Sequence, residues 1–449
     1  MRLQLLLLAC CFVAIVNSQN AGELTPEYHP PLIIQSCDAS GCQPENTGIV
    51  IDADTRRLYS VADNSVSCYT GSGWNPVLCP DGQTCAQNCA IDGFTQDEYN
   101  NRFGISTSGS ALRLAYLTQS EMGMNIGSRT YLLGEDNNYR LFYLKNRELS
   151  VTFDYSTTTC GMDAGVYFLA MDGDGGMSRY PDNKAGAKYG TGYCDAQCPH
   201  YLRYSNGQVN LDVSSEYGIC CVEMDIMEAN RWAATVTTHG CTAEGYFVCN
   251  GVDCGDGANF FEGVCDKSGC DYSSARQNNR YFFGGNDTFT VDSSQPFTVI
   301  TQFLTDDGSD SGKLVEIKQI WIQNGVEIPV PFANWGYTND YNSITEEFCA
   351  ASKTMFGEFN DFAEQGGLES LANAFDNGVV MAFAFWEDPS TYMQWLDSIS
   401  PPDADPEAPG AYRGPCPLDA GKPEDNHVNY ADAYHTISDI KIGTIGSTY

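Results

Sequence analysis

Basic side chains are scarce in this chain: 23 lysines and arginines stand against 58 aspartates and glutamates, a formal net charge of −35. That balance excludes nucleic acid and anionic membrane as partners, because both are bound by cation-rich surfaces. Charge of either sign is sparse, at 18% of residues, and suits a neutral substrate. Histidine is scarcer still, with five residues. Zinc is one reading of Cys194-Asp195-Ala196-Gln197-Cys198, of Cys220-Cys221 and of the cysteines from Cys241 to Cys270, but none has a matching histidine spacing. No metal and no cofactor are expected. Long apolar runs are missing beyond the N-terminus. The run from Leu3 to Val16 is too short to favour a membrane span. It follows Met1-Arg2 and precedes Asn17-Ser18-Gln19, the pattern of a secretory signal peptide over residues 1–18. A soluble, secreted, extracellular protein is therefore expected. No Ser/Thr/Pro-rich or Gly-rich tract and no internal repeat divides the remainder. Residues 19–449 are expected to form a single domain with no linker.

What the chain does have is cysteine. Of 20 cysteines, Cys10 and Cys11 fall in the leader, and the other 18 are an even number. An exported chain with that count predicts a disulfide framework. The other strong signal is β-structure. Glu148–Tyr155, Gly165–Met171, Phe297–Phe303, Val315–Gln323, Val379–Trp386 and His435–Ile442 are rich in β-branched and aromatic residues, and most are bounded by Gly, Asn or Asp. Phe362–Phe375 predicts a helix whose start Gly366-Gly367 weakens. Many strands with long Gly- and Cys-rich connections predict a β-sandwich or jelly roll.

Glu223-Met224-Asp225-Ile226-Met227-Glu228 is the stretch that carries chemistry. It sets three carboxylates in six residues, within apolar or small surroundings. Carboxylates this close repel one another, so a folded site raises the pKa of at least one. A protonated carboxyl beside an ionised one is what glycoside hydrolysis requires. A solvated acidic turn or a calcium loop is the alternative, although the spacing does not match an EF-hand. On a strand, Glu223 and Asp225 share a face and Glu228 has the opposite parity. Glu228 joins them only if the strand bulges or ends before it. A helix would instead group Asp225 with Glu228.

Cys220-Cys221-Val-Glu223-Met-Asp225-Ile-Met-Glu228-Ala-Asn230, followed by His239 and Cys241, closely resembles the signature of glycoside hydrolase family 7. Further matching blocks are Thr25–Pro31, Ala185–Pro199, Trp386, Met393–Asp397, Arg413-Gly414 and the closing Ile442–Thr448. The resemblance covers essentially the whole mature chain. It implies an all-β, concanavalin-like jelly-roll sandwich of two antiparallel sheets, with long disulfide-tied loops and few short helices. It also implies a secreted cellulase acting on β-1,4-glucosidic bonds with retention, as a monomer, on cellulose or other β-glucan chains. Glu223 would be the nucleophile, Glu228 the acid/base, and Asp225 a helper hydrogen-bonded to Glu223. His239 would lie near the acid/base at the +1 side, or be structural. Trp386 and Trp395 would be sugar platforms, since indole faces suit the apolar faces of glucose rings. The resemblance places Tyr167, Tyr193, Asp195 and Gln197 on the glycone side near the centre, and Arg129 and Arg203 farther out. Arg276, Asp271 and Arg413 would line the product side. Trp74, Trp232, Trp321 and Trp335 are read as structural.

The family pattern implies the pairs Cys37–Cys42, Cys68–Cys89, Cys79–Cys85, Cys160–Cys416, Cys194–Cys221, Cys198–Cys220, Cys241–Cys265, Cys249–Cys254 and Cys270–Cys349. Several features depart from the family's cellobiohydrolases. The loop between Asn206 and Cys220 is short. Asp52–Arg57 lacks entrance tryptophans and has Arg57 at a platform position. Phe260 replaces an arginine, and Ser268 an aspartate. A partly opened groove is expected, cellobiohydrolase-like with mixed or endo-leaning action. An endo-β-1,4-glucanase or mixed-linkage β-glucanase is the alternative, and a non-catalytic glycan-binding lectin the remote one. No carbohydrate-binding module is expected. Asn286-Asp287-Thr288 is a glycosylation sequon.

Overall fold

The computed structural model describes residues 20–449 except 72, 182, 206–207 and 212–216. The expected signal peptide lies outside the described residues, as does much of the 206–220 loop. Thirteen strands form one continuous hydrogen-bonded ribbon. In chain order these are β1 (Pro31–Asp38), β2 (Gly41–Ile51), β3 (Ser128–Leu133), β4 (Arg147–Asp154), β5 (Met162–Leu169), β6 (Glu223–Ala229) and β7 (Ala234–His239). They continue with β8 (Cys270–Tyr272), β9 (Phe297–Thr305), β10 (Leu314–Gln323), β11 (Val326–Pro329), β12 (Val379–Glu387) and β13 (Tyr434–Thr444). Their spatial order is β8-β7-β6-β5-β12-β3-β2-β1-β13-β4-β9-β10-β11, and nearly every neighbouring pair is antiparallel. All six segments expected to be strands lie in this ribbon, with ends shifted by three residues or fewer.

The ribbon folds back on itself. Val166, Phe168, Met224 and Ile226 of the first half belong to one buried apolar cluster with Val299, Phe303 and Ile317 of the second. Two antiparallel layers with a shared core make a jelly-roll sandwich. Strands β5 and β12 are buried along almost their whole length, which is why they read as continuous apolar runs.

The expected helix over Phe362–Phe375 is corrected to two, Asp361–Glu364 and Gly367–Asn377. The break falls at Gly366 and Gly367, whose φ angles of +93° and +52° lie in the left-handed region. Glu346 Oε1 then accepts the Leu368 N–H at 2.7 Å, satisfying a free donor at the start of the second helix. Nine disulfides join Cys37–Cys42, Cys68–Cys89, Cys79–Cys85, Cys160–Cys416, Cys194–Cys221, Cys198–Cys220, Cys241–Cys265, Cys249–Cys254 and Cys270–Cys349. Those through Cys220 and Cys221 anchor the chain just before β6 to the 194–198 loop.

Candidate active site

Strand β6 carries the carboxylates, and its register sets which way each one points. Against β5, Glu223 pairs with Leu169, Asp225 with Tyr167 and Glu228 with Gly165. Ile226 has no counterpart in that ladder. Against β7, the two residues Ile226 and Met227 face Val236 alone. This is a β-bulge, and one extra residue reverses side-chain parity beyond it. Ile226 and Met227 both point into the core, with exposures of 0% and 1%. Glu228 therefore joins Glu223 and Asp225 on the open face. All three line a cavity of about 1050 Å³.

Each acid has its own surroundings. Glu223 accepts the Ala196 N–H at 3.1 Å, and that amide stands between Cys194 and Cys198 of the disulfide-tied loop. Asp225 lies 3.2 Å from His239 Nε2, and His239 Nδ1 donates to the Asp266 carbonyl at 2.7 Å. Register puts His239 opposite Glu223 on β7 rather than beside Glu228. Among the described residues no hydrogen bond joins Asp225 to Glu223. The helper's close partner is the histidine. Glu228 accepts only a long contact, 3.4 Å, from the Thr237 hydroxyl.

These differences set the proton affinities. Burial pushes the Glu223 and Glu228 carboxyls well above the usual range, and the charge of Asp225 pushes both further. For Glu228 the next contribution is Asp163, which raises it again. Asp195 raises Glu223 again, the His239 cation opposes the shift at both acids, and the Ala196 N–H opposes it at Glu223. Burial works against the His239 cation, but Asp225 and Glu223 raise its pKa well above normal. A backbone N–H favours the ionised form of Glu223, whereas among the described residues Glu228 has only the long contact from Thr237. The protons leave such a cluster in shared steps rather than one residue at a time.

Tyr167, Tyr193, Asp195, Gln197 and Arg129 also line the cavity. Tyr193 Oη donates to Asp195 Oδ2 at 2.5 Å, and the Gln197 N–H donates to Asp195 Oδ1 at 2.8 Å. The Arg129 guanidinium stacks 3.3 Å from the Tyr193 ring centre and is held by Asp52 at 3.0 Å. Asp271 and Arg413 line it as well. The two indoles, Trp386 and Trp395, also face the cavity, with ring centres 6.4 Å apart. Asn230 Nδ2 donates to Asp397 Oδ2 at 2.7 Å, which ties the end of β6 to the short helix bearing Trp395.

Two expected binding residues stand elsewhere. Arg203 lies over the Tyr69 ring at 4.6 Å and does not line the cavity. Arg276 is buried behind the wall in ion pairs with Asp271 and Glu358, so it orients Asp271 and does not itself reach the groove. Arg57 lies over Tyr59 and donates to the Asn64 carbonyl. Phe260 packs on Phe261, which meets Phe359 with ring centres 5.3 Å apart, joining two loops. Ser268 donates to Asp361 Oδ2 at 2.6 Å and accepts from Lys353 at 3.2 Å. Trp321 stacks on Phe297 in the core, and Trp74 packs on Tyr69. Asp163 is the site residue that motif reading passed over. It lines the cavity at 1% exposure, and a lone acid in the apolar run of β5 was its sequence signal.

A groove across a β-sandwich, floored by three carboxylates on one face and flanked by indoles, fits a glycoside hydrolase of the double-displacement type. The model of Glycosyl hydrolase family 7 matches residues 21–449, and the chain belongs to that family. It is 43% identical to exoglucanase GH7B of Limnoria quadripunctata, with 97% of each sequence covered. Its fold is similar to the crystal structure of a family 7 cellobiohydrolase from Daphnia pulex, with TM-score 0.93, 40% identity, and 96% of this chain and 100% of that one covered. An endoglucanase I complexed with cellobiose is also similar, at TM-score 0.83 and 32% identity over 96% of this chain and 100% of that one.

Proposed function

We propose that this chain hydrolyses β-1,4-glucosidic bonds of cellulose with retention of configuration, acting as a cellobiohydrolase-like enzyme with a partly opened groove. The observation that carries this reading is the bulge, which turns Glu228 onto the face of Glu223 and Asp225. In the first step Glu228 gives its proton to the glycosidic oxygen while the Glu223 carboxylate attacks the anomeric carbon. The bond to the departing sugar breaks, and a glycosyl ester on Glu223 forms. In the second step Glu228, now ionised, takes a proton from water, which displaces Glu223 and releases the sugar. Both carboxyls return to their starting states, and the configuration is inverted twice. Asp225, fixed between the acids and paired with His239, keeps negative charge beside Glu228 and so favours its protonated form.

Trp386 and Trp395 would stack on sugar faces, with Tyr167, Asp195 and Gln197 on hydroxyls of the glycone. The missing entrance tryptophans support partial opening, and the Phe261–Phe359 contact supports a retained roof near the product side. An endo-acting β-1,4-glucanase is the second reading, favoured by that same entrance. The chain is further read as secreted after cleavage behind Ser18, with one catalytic domain over 19–449 and working as a monomer. The nine disulfides support the oxidising destination.

Digestion of phosphoric-acid-swollen cellulose, mixed-linkage glucan and laminarin tests the proposal. Cellulose should be the best substrate, with more insoluble reducing ends than a processive enzyme leaves. A soluble-to-insoluble ratio as high as that of a processive enzyme defeats the partly opened groove. Binding to cellulose without hydrolysis defeats the enzyme reading in favour of a lectin.

A further inference from the structure

The bulge that makes the site also creates a local problem. A bulged residue drops out of the ladder, and its backbone groups need other partners. Ile226 is that residue, and it is wholly buried. Its carbonyl is met from the opposite layer: Gln319 of β10 donates Nε2–H to Ile226 O at 2.9 Å. The same amide group lies 3.3 Å from the Thr301 hydroxyl on β9. A carbonyl only accepts, so the amide nitrogen must face Ile226. Gln319 is 8% exposed and stands between the inward-facing apolar residues Ile317 and Trp321 of its strand. A buried polar side chain among such neighbours is retained for a specific partner. Here the partner is the one residue whose extra presence reverses the parity of Glu228.

We propose that Gln319 is a positioning residue for the acid/base carboxyl: bonding Ile226 O from the facing sheet, it fixes the bulge and hence the direction of Glu228. Glu223 and Asp225 precede the bulge and are held by Ala196, His239 and the disulfide-tied loop. Loss of the bond should therefore disturb proton donation more than nucleophilic attack. The inference rests on the retaining-hydrolase reading above.

Two aryl β-cellobiosides separate these effects. 2,4-Dinitrophenolate leaves without a proton, whereas unactivated phenolate needs one from the general acid, whose full loss costs about 10²–10⁴-fold. Gln319→Met keeps the length of the side chain and removes the donor. It should lower kcat/KM for the phenyl substrate about tenfold or more, and for the dinitrophenyl substrate less than about threefold. Thr301→Val, which removes only the side contact, should leave the ratio of the two substrates at the wild-type value. Equal losses on both substrates, or no loss on either, overturn the proposal. Should Gln319→Met yield no folded protein, Gln319→Asn, whose amide stops a methylene short of Ile226, should show the same selective loss. A wild type inactive on both substrates defeats the hydrolase reading itself, a different outcome from equal losses in the variant.

Discussion

The cavity wall holds its two arginines in opposite ways. Arg129 is engaged on every nitrogen: Asp52 grips Nε and Nη2 at 3.0 Å, Tyr201 accepts from Nη1 at 3.2 Å, and the Tyr193 ring lies beneath. Among the described residues Arg413 makes no ion pair, and its buried Nε has no hydrogen-bond partner. Burial, with the neighbouring Arg276 cation, pushes the Arg413 pKa down to about 10. A paired cation stabilises the protein, whereas a cation left short of partners is ready for a ligand. The wall at Arg129 is thus prebuilt, and under the proposed function the wall at Arg413 is completed by hydroxyls of the departing sugar.

Exchanging each arginine for methionine puts that contrast at risk. Arg129→Met leaves Asp52 buried without its cation, bonded among the described residues only by the Asp54 N–H and the Tyr131 hydroxyl, a change that costs about 3 kcal/mol in stability. Denaturant unfolding should show that loss, and a variant as stable as wild type would mean that Arg129 serves sugar rather than fold. Arg413→Met should leave unfolding unchanged and weaken product inhibition by cellobiose about tenfold, one charge-assisted hydrogen bond. Equal inhibition constants would remove Arg413 from the product site. The smallest effect belongs to Asp163. Burial and the Asp225 charge push the Asp163 carboxyl up to about 8, so it is neutral below that pH. Asp163→Asn replaces one neutral group by another, and the pH profile of kcat/KM between pH 4 and 7 should keep its shape. A displaced alkaline limb within that range would mean that Asp163 is ionised there.

Much of this was legible in the sequence, and the losses have physical causes. Runs such as Val379–Trp386 marked strands because burial on both faces demands unbroken apolar residues. The helix over Phe362–Phe375 split because two adjacent glycines took left-handed angles, which composition permits without requiring. Parity alone left Glu228 on either face. The deciding bulge depends on Val236, Gly165 and the Ile226 carbonyl, none of which forms a local motif. Arg276 and Arg203 carried the expected chemistry, yet neither lines the cavity: Arg276 is buried in its pair with Asp271, and Arg203 lies over Tyr69. Gln319 was invisible for another reason, since it lies 93 residues from the carbonyl it holds. No local pattern reports a bond between two layers of a sandwich.

The stereochemistry of the first product decides whether Glu223 and Glu228 work as a nucleophile and acid/base pair on one face. Proton NMR of cellotetraose during the first minutes of hydrolysis, before mutarotation mixes the anomers, should show newly formed reducing ends as β. Newly formed α ends would mean direct attack by water and would contradict the double displacement.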